Sequence, residues 1–274
     1  MKYGFVFPGS DVHEAVAFGI EAERAGWDGF FVWDSVWGVD PWVTLTAIAV
    51  QTERIRLGTL LTPVSRRRPW TLAGETATLD RLSNGRVILA VGLGAIDTGF
   101  AKFGEETDRK IRAELMDEGL AILDGLWRGQ PFNFEGKHYH IKETDFHVPP
   151  PPVQQPRIPV WVVGAWPREK SMRRVLQWDG LLPSKINADG SPGQASFDDL
   201  RDMKAYIDEH RTADTPFDIV VEGETPGDDA VQTDAIIKPY AEAGATWWIE
   251  SRWTAPSLDL VRERLRQGPP RVEL

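Results

Sequence analysis

The chain has 274 residues, which is long for one domain but suits a single α/β barrel of about 250 residues. Its formal net charge of −10, from 41 acidic and 31 basic residues, argues against a surface for nucleic acid or anionic membrane. The chain contains no cysteine, which excludes disulfides, thiolate catalysis and cysteine metal sites. No apolar run approaches a membrane span of about 20 residues, and the first apolar run is too short for a signal peptide. We therefore expect a cytoplasmic protein with no membrane partner.

Short apolar runs alternate with amphipathic stretches of helical period along the chain. The runs predict strands at residues 3–7, 29–33, 55–60, 87–91, 160–163, 180–182, 218–221 and 246–249. The stretches predict helices at residues 11–26, 41–52, 70–82, 108–127, 167–176, 197–211, 228–243 and 257–266. This alternation predicts the α/β class and a single (β/α)₈ TIM barrel that occupies residues 1–274.

The alternation breaks between the fourth helix and the fifth strand. Residues 132–141 predict a small hairpin, and a proline-rich passage at residues 148–159 follows it. Such a passage forms neither helix nor central strand, so we expect an ordered excursion from the barrel at about residues 130–158. His138 and His140 alternate along the hairpin and would share one face. A surface hairpin is favoured over a metal site there, and we predict no metal ligands.

A TIM barrel places its chemistry at the C-terminal ends of its strands. No predicted strand ends in histidine, which argues against a metal-dependent hydrolase. Glu222 and Glu250 end the last two strands and could be neighbours, so a cofactor-free barrel hydrolase remains an alternative. A non-catalytic flavin-binding protein is a second alternative.

Glycines at two strand ends predict close approach of a ligand. Gly92 and Gly94 follow strand four, where they would clear space for a flat ligand. They are not a dinucleotide fingerprint, because the third glycine is missing and no Rossmann unit surrounds them. Gly164, Ala165 and Trp166 end strand five, just before a helix whose first N–H groups are free to bind an anion.

Several segments together resemble the luciferase-like monooxygenase family of flavin- and deazaflavin-dependent barrel oxidoreductases. The similar segments are residues 26–34 (GWDGFFVWD), 54–59 (RIRLGT), 68–69, 77–86 (ATLDRLSNGR), 91–94 (VGLG), 112–118, 126–127, 134–139 and 156–161. No segment is diagnostic by itself. Their order and spacing in one chain indicate the family.

The resemblance implies an oxidoreductase or monooxygenase that acts on a small organic substrate. The implied cofactor is FMN, or alternatively coenzyme F420, bound across the barrel mouth by its ring and its ribityl-phosphate tail. The resemblance also implies a bulge in strand three, with a non-prolyl cis peptide near Thr59–Leu60. The implied cofactor contacts are Asp34, Thr59, Leu60 and Thr62 at the ring, Gly92 and Gly94 beside it, and Gly164, Ala165 and Trp166 at the phosphate.

Two positions depart from the family pattern. Deazaflavin-dependent dehydrogenases of the family usually have Asp–His after strand two and often a glutamate after the strand-four glycines. This chain has Asp34–Ser35 and Ala95 at the matching positions. Since both acid–base groups are missing, the expectation shifts slightly toward FMN and toward a monooxygenase or a reductase.

The remaining predicted roles belong to side chains near the strand ends. The catalytic candidates are Asp34, Ser35 as a proton relay, His13 as a proton donor, and Glu250. The predicted substrate contacts are Trp33, Trp37 and Arg252. The resemblance further implies a homodimer, and it makes a flavin or F420 reductase a candidate partner.

Overall fold

The predicted barrel closes. A computed structural model describes residues 1–129, 131–144 and 149–270. In chain order its strands are β1 (Lys2–Phe7), β2 (Gly29–Val32), β3 (Arg56–Pro63), β4 (Val87–Gly92), β5 (Phe132–Glu135), β6 (His140–Thr144), β7 (Val160–Trp166), β8 (Gly180–Ile186), β9 (Pro192–Gly193), β10 (Asp218–Gly223) and β11 (Trp247–Ser251). Parallel pairing runs β10-β11-β1-β2-β3-β4-β7-β8, and β8 pairs back to β10. The described residues therefore form a closed barrel of eight parallel strands.

Helices cover the outside of the barrel. They are α1 (Val12–Ala25), α2 (Pro41–Ala49), α3 (Pro69–Leu82), α4 (Arg109–Arg128), α5 (Glu169–Val175), α6 (Phe197–His210), α7 (Ala230–Glu242) and α8 (Leu258–Arg266). Side-chain caps fix several of their starts: Asp11 accepts a hydrogen bond from the N–H of Glu14, and Ser196 forms a capping box with Asp199. The predicted (β/α)₈ order is confirmed. None of the helices in the described ranges is long and apolar enough to cross a membrane.

The core has two layers because side chains alternate across each strand. Inside the barrel, Phe31, Trp161 and Trp247 pack against each other, with Trp161 and Trp247 in an edge-to-face contact at 5.2 Å between ring centroids. The layer between barrel and helices contains the outward residues, such as Phe5 and Leu57. The lumen is therefore filled below the mouth, which we define as the C-terminal ends of the barrel strands and their loops.

Charged side chains close the opposite end of the barrel, which we call the base. Arg86 is 7% exposed and donates to the carbonyl oxygens of Ala49, Thr52, Ile55 and Ser83 at 2.7–3.1 Å. Ala49 ends α2, Thr52 and Ile55 belong to the connection from α2 to β3, and Ser83 belongs to the connection from α3 to β4, so one guanidinium joins these two neighbouring connections.

The excursion after α4 is anchored to the same end. β5 and β6 form the predicted antiparallel hairpin, which extends to Thr144. Asp80 is fully buried and accepts hydrogen bonds from the N–H groups of Val153 and Gln154 at 2.8 and 3.1 Å. The proline-rich passage is therefore ordered, as predicted, where it is described; residues 130 and 145–148 of the predicted excursion lie outside the described residues.

Candidate active site

A cavity of roughly 530 Å³ opens at the mouth between β3, β7, β8 and β10. We call it the main cavity, and its lining includes Leu60, Leu61, Val163, Leu182, Glu222 and Trp253. The three leucines pack on the lumen core, so the cavity lies directly above a filled barrel. A flat organic ligand would meet an apolar floor here.

The floor is formed by a bulge in β3. Pairing with β4 is regular up to Thr59 and resumes at Thr62, and the peptide bond between Leu60 and Leu61 is cis. The predicted bulge is confirmed, and the cis bond lies one bond after the predicted one. Thr59 and Thr62 are fully buried, and their hydroxyls lie 2.8 Å apart. The predicted contact of these threonines with a ring therefore has no support from the geometry, because Leu60 and Leu61 line the cavity instead.

The two glycines after β4 have different tasks. A Cβ on Gly92 would lie 3.0 Å from Leu61 and from Val163, which both line the main cavity. Glycine therefore lets these two side chains pack closely at the end of β4, and the contact of Gly92 with a cofactor stays a prediction. Gly94 has φ +74°, and a Cβ there would meet Phe100 and Pro63 at 2.8 Å. Gly94 serves the conformation and packing of the loop, not the approach of a ligand.

The predicted anion site at the end of β7 is not formed by free backbone groups. A Cβ on Gly164 would meet Leu181 at 2.4 Å, so this glycine faces the helix layer. The N–H of Ala165 donates to the hydroxyl of Ser171 at 2.9 Å. Trp166 packs edge-to-face on Tyr206. The geometry therefore gives no support to the prediction that Gly164, Ala165 and Trp166 bind a phosphate.

Asp34 binds two arginines at the end of β2. Its side chain is 1% exposed, and its oxygens accept hydrogen bonds from Arg66 at 2.8 Å and from Arg67 at 2.9 Å. The desolvated ion pairs satisfy this carboxylate and leave it no surface in the cavity. The predicted contact of Asp34 with a cofactor and its predicted catalytic role therefore have no support from the geometry, in which the side chain positions Arg66 and Arg67.

Three predicted residues line a second, smaller cavity of about 140 Å³. Trp33, Ser35 and Trp37 lie there with Phe7 and Pro41, between the first two strands and their helices. The indole of Trp33 donates to the carbonyl of Gly9 at 3.2 Å, whereas Trp37 is 82% exposed. Ser35 and the two tryptophans are thus close together, but they do not line the main cavity.

His13 lies apart from both cavities. It is an exposed residue of the first turn of α1, and it lines neither of them. Its predicted role as a proton donor therefore has no support from the geometry.

Glu250 and Arg252 form a buried cluster behind the mouth. Glu250 follows the lumen residue Ile249 on β11, so its side chain points outward. It is fully buried and accepts hydrogen bonds from the N–H and hydroxyl of Thr225 at 3.0 and 2.6 Å. Arg252 and Arg264 lie 3.3 and 3.4 Å from the same carboxylate. The described geometry therefore gives no support to the predicted catalytic role of Glu250 or to the predicted substrate contact of Arg252.

Glu222 lines the main cavity. From the sequence it was a candidate only for the hydrolase alternative. It lies two residues after the lumen residue Val220, so it points into the mouth. The indole N–H of Trp253 donates to its Oε1 at 3.1 Å. Although solvent reaches the side chain, the surrounding protein desolvates it, which raises its pKa above the ordinary 4.5, while the indole hydrogen bond opposes that rise.

The hairpin histidines do not share a site. His138 precedes β6 and contacts Glu114 at 3.0 Å, whereas His140 contacts Glu135 at 2.8 Å. Within the ranges the structure describes, no group of three or more His, Cys, Asp or Glu is placed to hold a metal ion.

Comparison with known proteins agrees with the barrel fold. The model of the luciferase-like monooxygenase family matches residues 4–225. This chain therefore belongs to the luciferase-like monooxygenase family.

Three proteins illustrate the similarity. An F420-dependent glucose-6-phosphate dehydrogenase of Amycolatopsis mediterranei is 32% identical over an alignment of 164 residues, which covers 56% of this chain and only 48% of that enzyme. An F420-dependent secondary alcohol dehydrogenase, solved with an F420–acetone adduct, superposes with a TM-score of 0.78 at 16% identity over 97% of both chains. The oxygenating constituent of 3,6-diketocamphane monooxygenase from Pseudomonas putida, solved with FMN, gives 0.76 at 15% identity, over 100% of this chain and 99% of that one.

Proposed function

We propose that this protein is an oxidoreductase that binds coenzyme F420 in the main cavity and transfers hydride to or from a small organic substrate. The observation that supports this proposal most directly is the apolar floor of Leu60 and Leu61, with Val163 and Leu182 beside it in the lining of the main cavity. A deazaflavin ring is flat and largely apolar on its faces, so this floor fits it. When bound, the cofactor supplies the hydride chemistry, and the protein orients the ring and excludes water.

FMN is the second candidate for the same site. The missing acid–base pair at Ser35 and Ala95 favoured it in the sequence, and the monooxygenase of similar fold was solved with it. The F420-dependent sequence relative favours the deazaflavin. With FMN, the reaction class would include the use of dioxygen.

Equilibrium binding separates these candidates. Purified protein is titrated into F420 and, in parallel, into FMN, and the cofactor fluorescence is followed. We expect F420 to bind at least tenfold more tightly than FMN. Tighter binding of FMN would replace the deazaflavin proposal by a flavin one. If neither binds below about 100 μM, roughly −5.5 kcal/mol, the proposal fails and the hydrolase and non-catalytic alternatives return.

Arg168 is the group that we propose for the cofactor phosphate. It follows the end of β7, and its guanidinium has no partner among the side chains and carbonyls that the structure describes. The substitution Arg168→Ala should weaken F420 binding about tenfold, or 1.4 kcal/mol. Arg173→Ala is the matched control, because Arg173 lies exposed on the same helix and pairs with Glu169. Equal effects of both substitutions would contradict the assignment.

A homodimer is the assembly that we propose. Val43 and Val50 are seven residues apart on and just after α2, and they are 69% and 65% exposed; Trp37, in the preceding loop, is 82% exposed. Apolar side chains so close together are typical of a subunit interface. Light scattering should give twice the monomer mass of 30.7 kDa. Val43→Glu should shift the protein to the monomer, whereas Val231→Glu, at a site 82% exposed on α7, should not.

The cytoplasmic location and a reductase partner stay predictions from the sequence. Cell fractionation with an antibody against the protein tests the first. Turnover that requires an added NADPH-dependent F420 or flavin reductase tests the second.

A further inference from the structure

We propose that Glu222 is the acid–base residue of the main cavity, where it exchanges a proton with the substrate atom that gains or loses one during hydride transfer. The inference rests on the proposed oxidoreductase function. It answers a question that the sequence raises, because Ser35 and Ala95 occupy the positions where the resemblance leads one to expect a histidine and a glutamate.

The geometry holds one oxygen of Glu222 and leaves the other free. Trp253 donates its indole N–H to Oε1 at 3.1 Å, and no residue in the described ranges donates to Oε2. No described lysine or arginine forms an ion pair with this carboxylate either. A carboxyl group that is oriented through one oxygen and open at the other is suited to proton transfer.

The other charged and titratable groups around the mouth are engaged elsewhere. On β8, Lys185 binds Asp199 of α6 at 2.7 and 2.8 Å. On the β11 side, Arg252 lies 3.3 Å from Glu250, behind the strand, and approaches Glu224 only to 3.9 Å. From α7, Tyr240 lines the cavity, but burial raises its pKa above 10, so it stays protonated at neutral pH. Within the described lining, Glu222 is therefore the one carboxyl group, and it has no charged partner.

Desolvation supports this role. The apolar walls favour the neutral form of Glu222, so its pKa lies above 4.5, and the indole of Trp253 only partly counteracts this. A carboxyl group whose pKa is raised keeps its proton to a higher pH than a free glutamate does, which suits it to donate and accept a proton during turnover. Glu250 is the opposite case: its oxygens are saturated by hydrogen bonds and it does not reach the cavity.

The proposed step balances for a carbonyl substrate. When bound, the reduced cofactor would supply a hydride, with its two electrons, to the carbonyl carbon, and the C=O π bond would open onto the oxygen. That oxygen takes the proton of the Glu222 carboxyl, which leaves a carboxylate that solvent reprotonates. The substrate is reduced by two electrons and the cofactor is oxidised by two. In the reverse direction, Glu222 accepts the hydroxyl proton of an alcohol.

A titration without any cofactor tests whether Glu222 holds a proton. Protein labelled with ¹³C at the glutamate carboxyl is titrated by NMR, and the resonance that is absent from Glu222→Gln is assigned to Glu222. We expect its midpoint above 4.5, and a further rise in Trp253→Phe, which lacks the indole donor. Glu224→Gln, a loop neighbour, should remove a different resonance. A Glu222 midpoint at or below 4.5 would overturn the inference.

Kinetics with defined probes test the proton transfer itself. Reduced F420 is assayed with acetone and with 2-cyclohexen-1-one, and oxidised F420 with isopropanol and with glucose 6-phosphate. Glu222→Gln should lower kcat/KM at least 100-fold with whichever probe turns over, and F420 affinity should change less than threefold. Glu224→Gln should alter neither quantity. If Glu222→Gln retains turnover and its pH profile while F420 binds, the inference alone fails. If the wild-type protein binds neither F420 nor FMN, the proposed function fails with it.

Discussion

The two ends of this barrel use charged side chains in opposite ways. At the base, Arg86 and Asp80 are buried and saturated by hydrogen bonds to backbone groups of neighbouring segments. At the mouth, Glu222 accepts one hydrogen bond from Trp253 and has an oxygen free in an apolar cavity. A saturated charge stabilises one arrangement of the chain, whereas an incompletely bound charge is available to a ligand. Asp80 and Arg86 belong to segment 77–86, which supports the family resemblance. That segment therefore indicates the fold and does not contribute to the candidate site.

The mouth repeats this contrast on a smaller scale. Glu222 and Glu250 end neighbouring parallel strands, and both are carboxylates. Glu222 faces the lumen, and Glu250 faces the helix layer, where Thr225 and Arg264 bind it. The direction of a side chain, and not its place along the strand, separates a candidate catalytic group from a structural one.

The largest effect should come from the base. Arg86→Met removes the donor to four carbonyl groups and leaves them buried without a partner. We expect the free energy of unfolding to fall by about 3–4 kcal/mol, measured by urea denaturation. Arg24→Met, at an exposed position of α1, should stay within about 0.5 kcal/mol. A loss for Arg86→Met as small as that of Arg24→Met would contradict the structural role of the base.

Substitution of the two glutamates at the mouth should have different effects on the free energy of unfolding, measured by urea denaturation. Glu250→Gln leaves the buried Arg264 without its counter-charge, and we expect a loss of about 3 kcal/mol at pH 7. Glu222→Gln removes a carboxylate that the cavity desolvates, so the protein should be unchanged or slightly more stable. Equal losses for the two substitutions would show that both carboxylates are structural.

The barrel could be predicted from the sequence because strands and helices have different patterns of apolar residues. Apolar runs and helical periods mark where strands and helices lie, and they placed all eight barrel strands in the observed order. The ends of β3 and β8 were missed: Thr62, Pro63 and Ser184 continue strands through backbone pairing with β4 and β7, which needs no apolar side chain. A composition signal cannot show such an extension.

Side-chain direction could not be predicted in the same way. Residues 219–221 and 247–249 are apolar throughout, because strands of a parallel barrel are buried on both faces. Without alternation between polar and apolar residues, the sequence does not show that Glu222 faces inward and Glu250 outward. For the same reason the fully buried Thr59 was predicted to contact the ring, whereas Leu60 lines the cavity.

A more local effect should come from Asp80. Its oxygens accept hydrogen bonds from the N–H groups of Val153 and Gln154 and from the Gln154 amide. In Asp80→Asn one carboxylate oxygen is replaced by an NH₂ group, which would face the N–H donors that this oxygen accepts in the wild type. We expect the free energy of unfolding to fall by about 2 kcal/mol. Amide exchange should rise first in residues 149–158, while exchange in β10 and β11 stays as in the wild type. Uniform acceleration throughout the barrel would contradict an anchor for the excursion alone.

The smallest expected effect is the pH dependence of the free energy of unfolding. A carboxylate at the base and one at the mouth should change it in opposite directions. Burial alone would raise the pKa of Glu23 at the base, but the N–H groups of residues 53–55 bind its carboxylate and lower the pKa below 4.5. Its stabilisation is therefore complete above pH 4.5 and is lost as pH falls through the lowered pKa. At pH 7 Glu23→Gln should lose about 1 kcal/mol, and this loss should disappear in acid.

Glu222 should show the reverse dependence, because its pKa is raised. Ionised Glu222 lowers the free energy of unfolding. This loss begins as pH rises above 4.5 and is complete above the raised pKa, so the stability of Glu222→Gln relative to the wild type should increase as pH rises. The exposed Glu263→Gln is the control for both substitutions and should show neither trend. Unfolding free energies between pH 3 and 8 measure all three variants. If the unfolding free energies of Glu23→Gln and Glu222→Gln depend on pH in the same way, the proposed difference between base and mouth is wrong, since both carboxylates would then be stabilised by the fold.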